Sequence, residues 1–173
     1  MILGLDPGSH KTGYGIIKND ANDFSLVDYG CFITSTKETT AQRLCCLEKA
    51  LTNLLKKFSP DLAAVEDLFF FKNHKTAVRV SQARGVILLA LAKKNIPIQE
   101  PKPLEIKQAL TGYGRAEKCQ VQKMVAHFLR LEKPIKSDDA ADALAAAICC
   151  AHNYNYETVE KPPYNFLKTP EKD

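Results

Sequence analysis

Two rhythms of apolar and polar positions run along this chain. Short apolar runs closed by turn residues dominate its start, and helical periodicity takes over later. Residues 1–5 are apolar and stop at Asp6-Pro7-Gly8, which predicts a buried strand ending in a turn. Residues 12–18 predict the returning strand, and residues 25–34 a third, so the chain opens with antiparallel neighbours. Leu44, Leu47, Leu51, Leu54 and Phe58 then recur at helical spacing, with Thr39 or Thr40 as the cap and Ser59-Pro60 as the stop. Residues 62–66 form a short apolar run after that helix, which predicts a parallel central strand. A long helix is expected over residues 75–94, with Gly85 allowing close packing. A short strand over 96–99 follows, with Pro97 marking either an edge or a strand start. Helices over 103–110, 117–129 and 137–152 complete the pattern, the last with Ser137 as its N-cap and Asp138 at the positive end of its dipole. This order predicts an α/β fold with a mixed five-stranded sheet flanked by helices.

Length and composition narrow the class. At 173 residues the chain has room for one domain with a substantial core. Residues 1–153 are expected to form it. Residues 154–173 are polar and proline-rich, and are expected to be a flexible tail. An apolar content of 45% excludes disorder as the default. The net charge of +4 permits a nucleic-acid partner without requiring one. No basic region with an apolar segment opens the chain, and no apolar run reaches membrane-spanning length, so a cytoplasmic protein without membrane contact is expected. The six cysteines lack Cys-x-x-Cys spacing. Their expected role is as small buried apolar residues, not as a zinc site or a disulfide framework.

The candidate chemistry lies in four carboxylates. Asp6 alone reads as turn chemistry, since Asp-Pro-Gly suits a tight turn. Glu66 repeats its placement at the end of an apolar run, and neighbouring strands would set the two side by side where open α/β sheets bind ligands. The glycines at 13 and 15 would leave room beside Asp6, and Asp67 would face the other side of the sheet. Asp139 and Asp142 lie three apart on one helix face, among alanines that permit close packing. Asp138, one residue earlier, reads as a solvated charge. At about 4 Å and an effective dielectric of about 20, each like pair costs roughly 4 kcal/mol. Protonation or divalent cations must relieve this. An all-oxygen set without Cys or His suits Mg²⁺ or Mn²⁺, and two such ions stabilise both oxygens of a phosphodiester displacement.

At these residues the chain resembles the bacterial Holliday junction resolvases of the RuvC family. The resemblance rests on Gly4-Leu5-Asp6-Pro7-Gly8 with Thr12-Gly13-Tyr14-Gly15, on Val65-Glu66, and on Asp139-Ala140-Ala141-Asp142-Ala143-Leu144. Ser81-Gln82-Ala83-Arg84-Gly85 and Ala116-Glu117-Lys118 with Gln120-Val121-Gln122 add to it. It spans roughly residues 1 to 152. It implies an RNase H-like fold and a structure-selective endonuclease making paired nicks in a four-way DNA junction. It further implies a homodimer with two Mg²⁺ per subunit, Mn²⁺ substituting, and a branch-migration helicase complex of RuvA and RuvB as partner. By the same resemblance Asp6, Glu66, Asp139 and Asp142 are the catalytic metal ligands. Phe69 becomes a base-stacking wedge, for which stacking of about 1–3 kcal/mol is adequate. Lys107 and Lys118 become phosphate contacts, with Arg115 a weaker addition. Asp138 departs from the pattern and leaves two candidates for one ligand. The rivals are an RNase H-like nuclease acting on RNA precursors, an actin-like or sugar-kinase-like ATPase, and a junction-binding protein without activity.

Overall fold

The computed structural model describes residues 1–20, 23–67 and 74–153. The chain order is β1 (Ile2–Asp6), β2 (Lys11–Asp20), β3 (Asp23–Ile33), α1 (Thr40–Phe58), β4 (Leu62–Val65), α2 (His74–Ala92), β5 (Ile98–Gln99), α3 (Pro103–Thr111), α4 (Lys118–Phe128) and α5 (Asp138–Asn153). The five strands lie in the order β3-β2-β1-β4-β5. The first three are antiparallel, while β1–β4 and β4–β5 are parallel. This is the expected mixed sheet. The hairpin strands run longer than their apolar cores, because main-chain pairing continues through Lys18 with Ser25, Asn19 with Phe24 and Asp20 with Asp23. β5 is shorter than expected. Asn95 takes a left-handed conformation before it, with φ 52°, and Pro97 joins the ladder only as an acceptor, its carbonyl taking the Ala63 N–H at 2.9 Å.

Strand alternation divides the interior into two cores. Leu3, Leu5, Ile16, Ala63 and Val65 face α1 and α2, packing with Leu47, Leu51, Ile87 and Leu91. Ile2, Ile17, Leu62 and Ala64 face the other way, against α3, α4 and α5. α1 begins in a capping box, in which Thr39 Oγ1 accepts from the Gln42 N–H and Gln42 Oε1 accepts from the Thr39 N–H. It stops at Ser59, which adopts a left-handed conformation.

α5 is the most buried helix. Eleven of its residues, Ala140, Ala141 and the run from Ala143 to Ala151, have almost no exposure. Its backbone lies directly on β1 and β2. A Cβ at Gly4 would come within 1.8 Å of the Ala143 carbonyl oxygen, and one at Gly13 within 1.9 Å of the Asp139 carbonyl oxygen. The space expected to open beside Asp6 is therefore filled by the helix itself.

The cysteines divide by environment. Cys149 and Cys150 are buried on α5, and burial pushes their thiols up to about 11 and about 12. Cys31 is half-buried. Cys45, Cys46 and Cys119 are exposed, contrary to expectation, because the apolar stripe of α1 runs through Leu47, Leu51, Leu54 and Leu55 and turns positions 45 and 46 outward. Gly85 also departs from expectation. It is exposed on α2, and a Cβ there meets nothing within 4 Å.

Two substitutions test this packing. Gly4→Ala should destabilise the fold by about 3 kcal/mol, at the upper end of the cost of overpacking. Gly85→Ala should stabilise it by about 0.5–1 kcal/mol through helix propensity. Urea midpoints compare the two, and a tolerated Gly4→Ala would mean that α5 does not sit on β1 as described.

Candidate active site

The β1–β4 register aligns two of the carboxylates. Leu5 lies beside Val65, and the Glu66 N–H donates to the Leu5 carbonyl at 3.0 Å. The next residues are Asp6 and Glu66. Both share the strand parity of Gly4 and Ala64, so both face α5. Asp67 has the opposite parity and pairs with Arg84 of α2 at 3.1 Å, as alternation requires. Arg84 also pairs with Glu100.

The first turns of α5 bring Asp139 and Asp142 to the same end of the sheet. Their charges, together with burial, determine the state of the strand carboxylates. Asp6 is pushed up to about 7, chiefly by burial and then by Asp142 and Asp139. Glu66 is pushed up to about 8 by burial, then by Asp6 and Asp142. Burial raises Asp142 too, although Lys118 pulls against it. Asp138 points the other way electrostatically. It is exposed, accepts from Gln122 Nε2 at 2.8 Å, and is held below the usual carboxylate range by that bond and by Lys118. The charge of Asp139 acts on Asp6.

Two lysines enter this acidic end. Lys118 Nζ lies 2.8 Å from Asp142 and 3.5 Å from Asp138. Lys11 Nζ lies 2.5 Å from Asp139 and 3.1 Å from Ser137 Oγ, and Cys31 Sγ meets that hydroxyl at 3.1 Å. Lys107 lines a cleft with about 540 Å³ of free space, together with Glu66, Lys118, Asp142 and apolar walls from Pro103, Ile106, Val121 and Ala145. Lys11 was not expected from sequence, although its parity with Gly13 and Gly15 along β2 places it on the α5 face. Among the described residues, no three His, Cys, Asp or Glu side chains form a ready-made metal cage. The ammonium groups of Lys11 and Lys118 instead occupy oxygens of Asp139 and Asp142. Phe69 and residues 154–173 lie outside the described residues.

Comparison with known proteins identifies this arrangement. The family model described as crossover junction endodeoxyribonuclease RuvC matches residues 2–150. The chain belongs to the RuvC family. It is 52% identical over 149 residues to the RuvC of Petrotoga mobilis, covering 86% of this chain and 91% of that protein. It is 48% identical over 161 residues to the RuvC of Alkaliphilus metalliredigens, covering 93% and 98%. Among solved structures, Thermus thermophilus RuvC in complex with a Holliday junction substrate superposes with a TM-score of 0.83 at 32% identity, covering 87% of this chain and 92% of that one. The yeast mitochondrial Holliday junction resolvase Ydc2 shares the fold, with a TM-score of 0.64 at 16% identity. RuvC membership establishes the RNase H-like resolvase fold and disfavours the ATPase and RNA-processing alternatives. No helix among the described residues is long and apolar enough to cross a membrane.

The raised carboxylates give the metal-free protein a pH signature. Asp6 and Glu66 hold protons in the folded state that the unfolded chain releases near its ordinary carboxylate values. Their stabilising contribution is full below about pH 4 and is lost as pH rises through about 7 to 8. Thermal unfolding in chelator should show this loss between pH 5 and 8. Asp6→Asn with Glu66→Gln should flatten it, and an unchanged profile in the double variant would mean the two groups are not the source.

Proposed function

We propose that this protein is a structure-selective endonuclease that resolves four-way DNA junctions by paired, symmetric, metal-dependent hydrolysis. One coincidence carries the reading. The RuvC match over residues 2–150 includes all four carboxylates, and the fold gathers these at one end of the sheet. RuvC nucleases are metal-dependent. The donor set here fits a hard divalent cation, because it is all oxygen and because burial and mutual repulsion, which hold Asp6 and Glu66 up to about 7 and about 8, are relieved when positive charge joins them. Asp6, Glu66, Asp139 and Asp142 would hold two Mg²⁺ per subunit, with Mn²⁺ as substitute. Bound there, the ions supply the charge that stabilises the attacking and leaving oxygens at phosphorus.

The chain's own residues bind and orient. In the reaction, a water oxygen bonds to phosphorus and one ester P–O bond breaks. Asp6 and Glu66 stand on strand ends anchored in the sheet, so their oxygens cannot drift with the loops. Lys118 and Lys107 border the same cleft and are suited to holding phosphate oxygens. Lys118 pairs with Asp142 at 2.8 Å, and a cation held at Asp142 would free this ammonium for the strand. Phe69 is proposed as the aromatic that stacks on a junction base. Two nicks related by symmetry need two sites related by a two-fold axis, which supports a homodimer. The nuclease unit is proposed as residues 1–153, with RuvA and RuvB as helicase partners.

Single-turnover nicking of a labelled four-way junction in Mg²⁺ is the direct test. Asp142→Asn should nick about a thousandfold more slowly, the equivalent of about 4 kcal/mol of lost transition-state stabilisation. Asp138→Asn should stay near the parent rate. The reverse result would assign the helix ligand wrongly.

Binding measured in calcium tests the basic residues. Lys107→Ala should lower the slope of log K against log salt by about 0.9, the loss of one phosphate contact on a duplex arm. Phe69→Ala should reduce nicking more than affinity, since stacking distorts the junction while lysines supply most of the binding. Equal losses in both assays would remove the stacking role.

A further inference from the structure

On the opposite face of the sheet from α5, beside the β1–β2 turn, lies a second, narrow pocket. Its charged and titratable lining residues are His10, Arg43 and Arg79, and no carboxylate lines it. Arg43 is held in place, since its Nε donates to Thr34 Oγ1 at 3.3 Å. No carboxylate pairs with Arg43 or Arg79 among the described residues. His10 Nδ1 is enclosed and has no hydrogen-bond partner there. The pocket also includes Thr40 at the start of α1, whose first turn carries no acidic residue. A helix N-terminus favours negative charge, so a cation one turn into α1 is unfavourably placed until an anion joins it. Two guanidinium groups, an imidazole and a helix N-terminus therefore line one pocket where no carboxylate among the described residues neutralises them. Guanidinium binds phosphate oxygens with charge-assisted bonds of fixed geometry.

We propose that Arg43 and Arg79, at the mouth of this pocket, bind a backbone phosphodiester of the substrate strand, one that flanks the scissile linkage. The proposal rests on the junction-cleaving reading. It adds a contact on the α1–α2 side of the sheet, away from Lys107 and Lys118. Location supports a nucleic-acid phosphate over a free one. Asp6 ends β1, and the turn that follows it, through Gly8 and His10, forms one wall of the pocket. A strand whose scissile phosphate lies at Asp6 needs only to cross this turn to present a further phosphate to Arg43 and Arg79.

The test uses the full-length protein and four-way junctions carrying one neutral methylphosphonate, moved linkage by linkage around the nick. Binding is measured in calcium, and nicking of the unmodified junction by the parent protein is scored separately in Mg²⁺. The parent should lose about tenfold affinity at one flanking linkage, the scale of a single charge-assisted hydrogen bond. Arg79→Gln should lose a similar factor on unmodified DNA, show a salt slope lower by about 0.9, and be indifferent to the methylphosphonate at that linkage. Arg79 is exposed, so this variant should fold, and Arg43→Gln provides a second measurement. Parent-like affinity and slope in both variants, or undiminished sensitivity at every linkage, would overturn the proposal while leaving junction cleavage intact. Failure of the parent to nick would instead overturn the functional reading. If inorganic phosphate raises the melting temperature of the parent but not of Arg79→Gln, and no linkage couples to Arg79, the pocket holds free phosphate and the strand assignment is wrong.

Discussion

The backbone of α5 resting on the backbones of β1 and β2 is the contact on which the rest depends. Gly4 and Gly13 supply the missing Cβ atoms, and the carbonyl oxygens of Ala143 and Asp139 occupy the space. Gly15 makes room in the same way for the Leu144 side chain. The alanines of α5 complete the fit from the helix side. A helix seated this closely has little freedom to slide or roll, because interiors are packed to crystal-like density. That rigidity is transmitted to Asp139 and Asp142, which sit on its first turns. It also keeps them a fixed distance from Asp6 and Glu66 on the strands below.

Close seating has an electrostatic cost. It brings carboxylates together where burial already disfavours charge, and both strand residues respond by holding protons up to about pH 7 or 8. Lys11 and Lys118 offset part of the repulsion by pairing with Asp139 and Asp142. A surface ion pair of this kind contributes little to stability. Its importance lies in reversibility. An ammonium is a weaker competitor than a divalent ion for several carboxylate oxygens, so the same pairs that quiet the site leave it open to metal. Among the described residues the basic pocket on the other face has no such carboxylate partner, and an external anion is the simplest way to satisfy it.

Much of this was legible in the sequence because period and turn chemistry are local. The strand before Asp6, the Thr39 cap of α1 and the alanine-rich α5 each follow from a few neighbouring residues. Alternation along β4 was enough to separate Glu66 from Asp67. The exposure of Cys45 and Cys46 is not legible locally, because the phase of the α1 stripe through Leu47, Leu51, Leu54 and Leu55 is set by the partner surface.

The sequence by itself determined the types and order of the elements and the family, and it singled out four carboxylates as candidates. Tertiary structure decided how charges from distant elements meet. Lys11 and Asp139 are far apart along the chain, and nothing local to either shows that one neutralises the other. Which of Asp138 and Asp139 turns towards Asp6 likewise depends on the phase of the helix, and a one-residue shift turns a side chain by about 100°. The purpose of Gly13 was also hidden, since glycine marks only that something approaches and not what. Pair distances, burial and the charge state of a carboxylate are properties of the assembled surfaces, and they exist only once the helix has docked on the sheet.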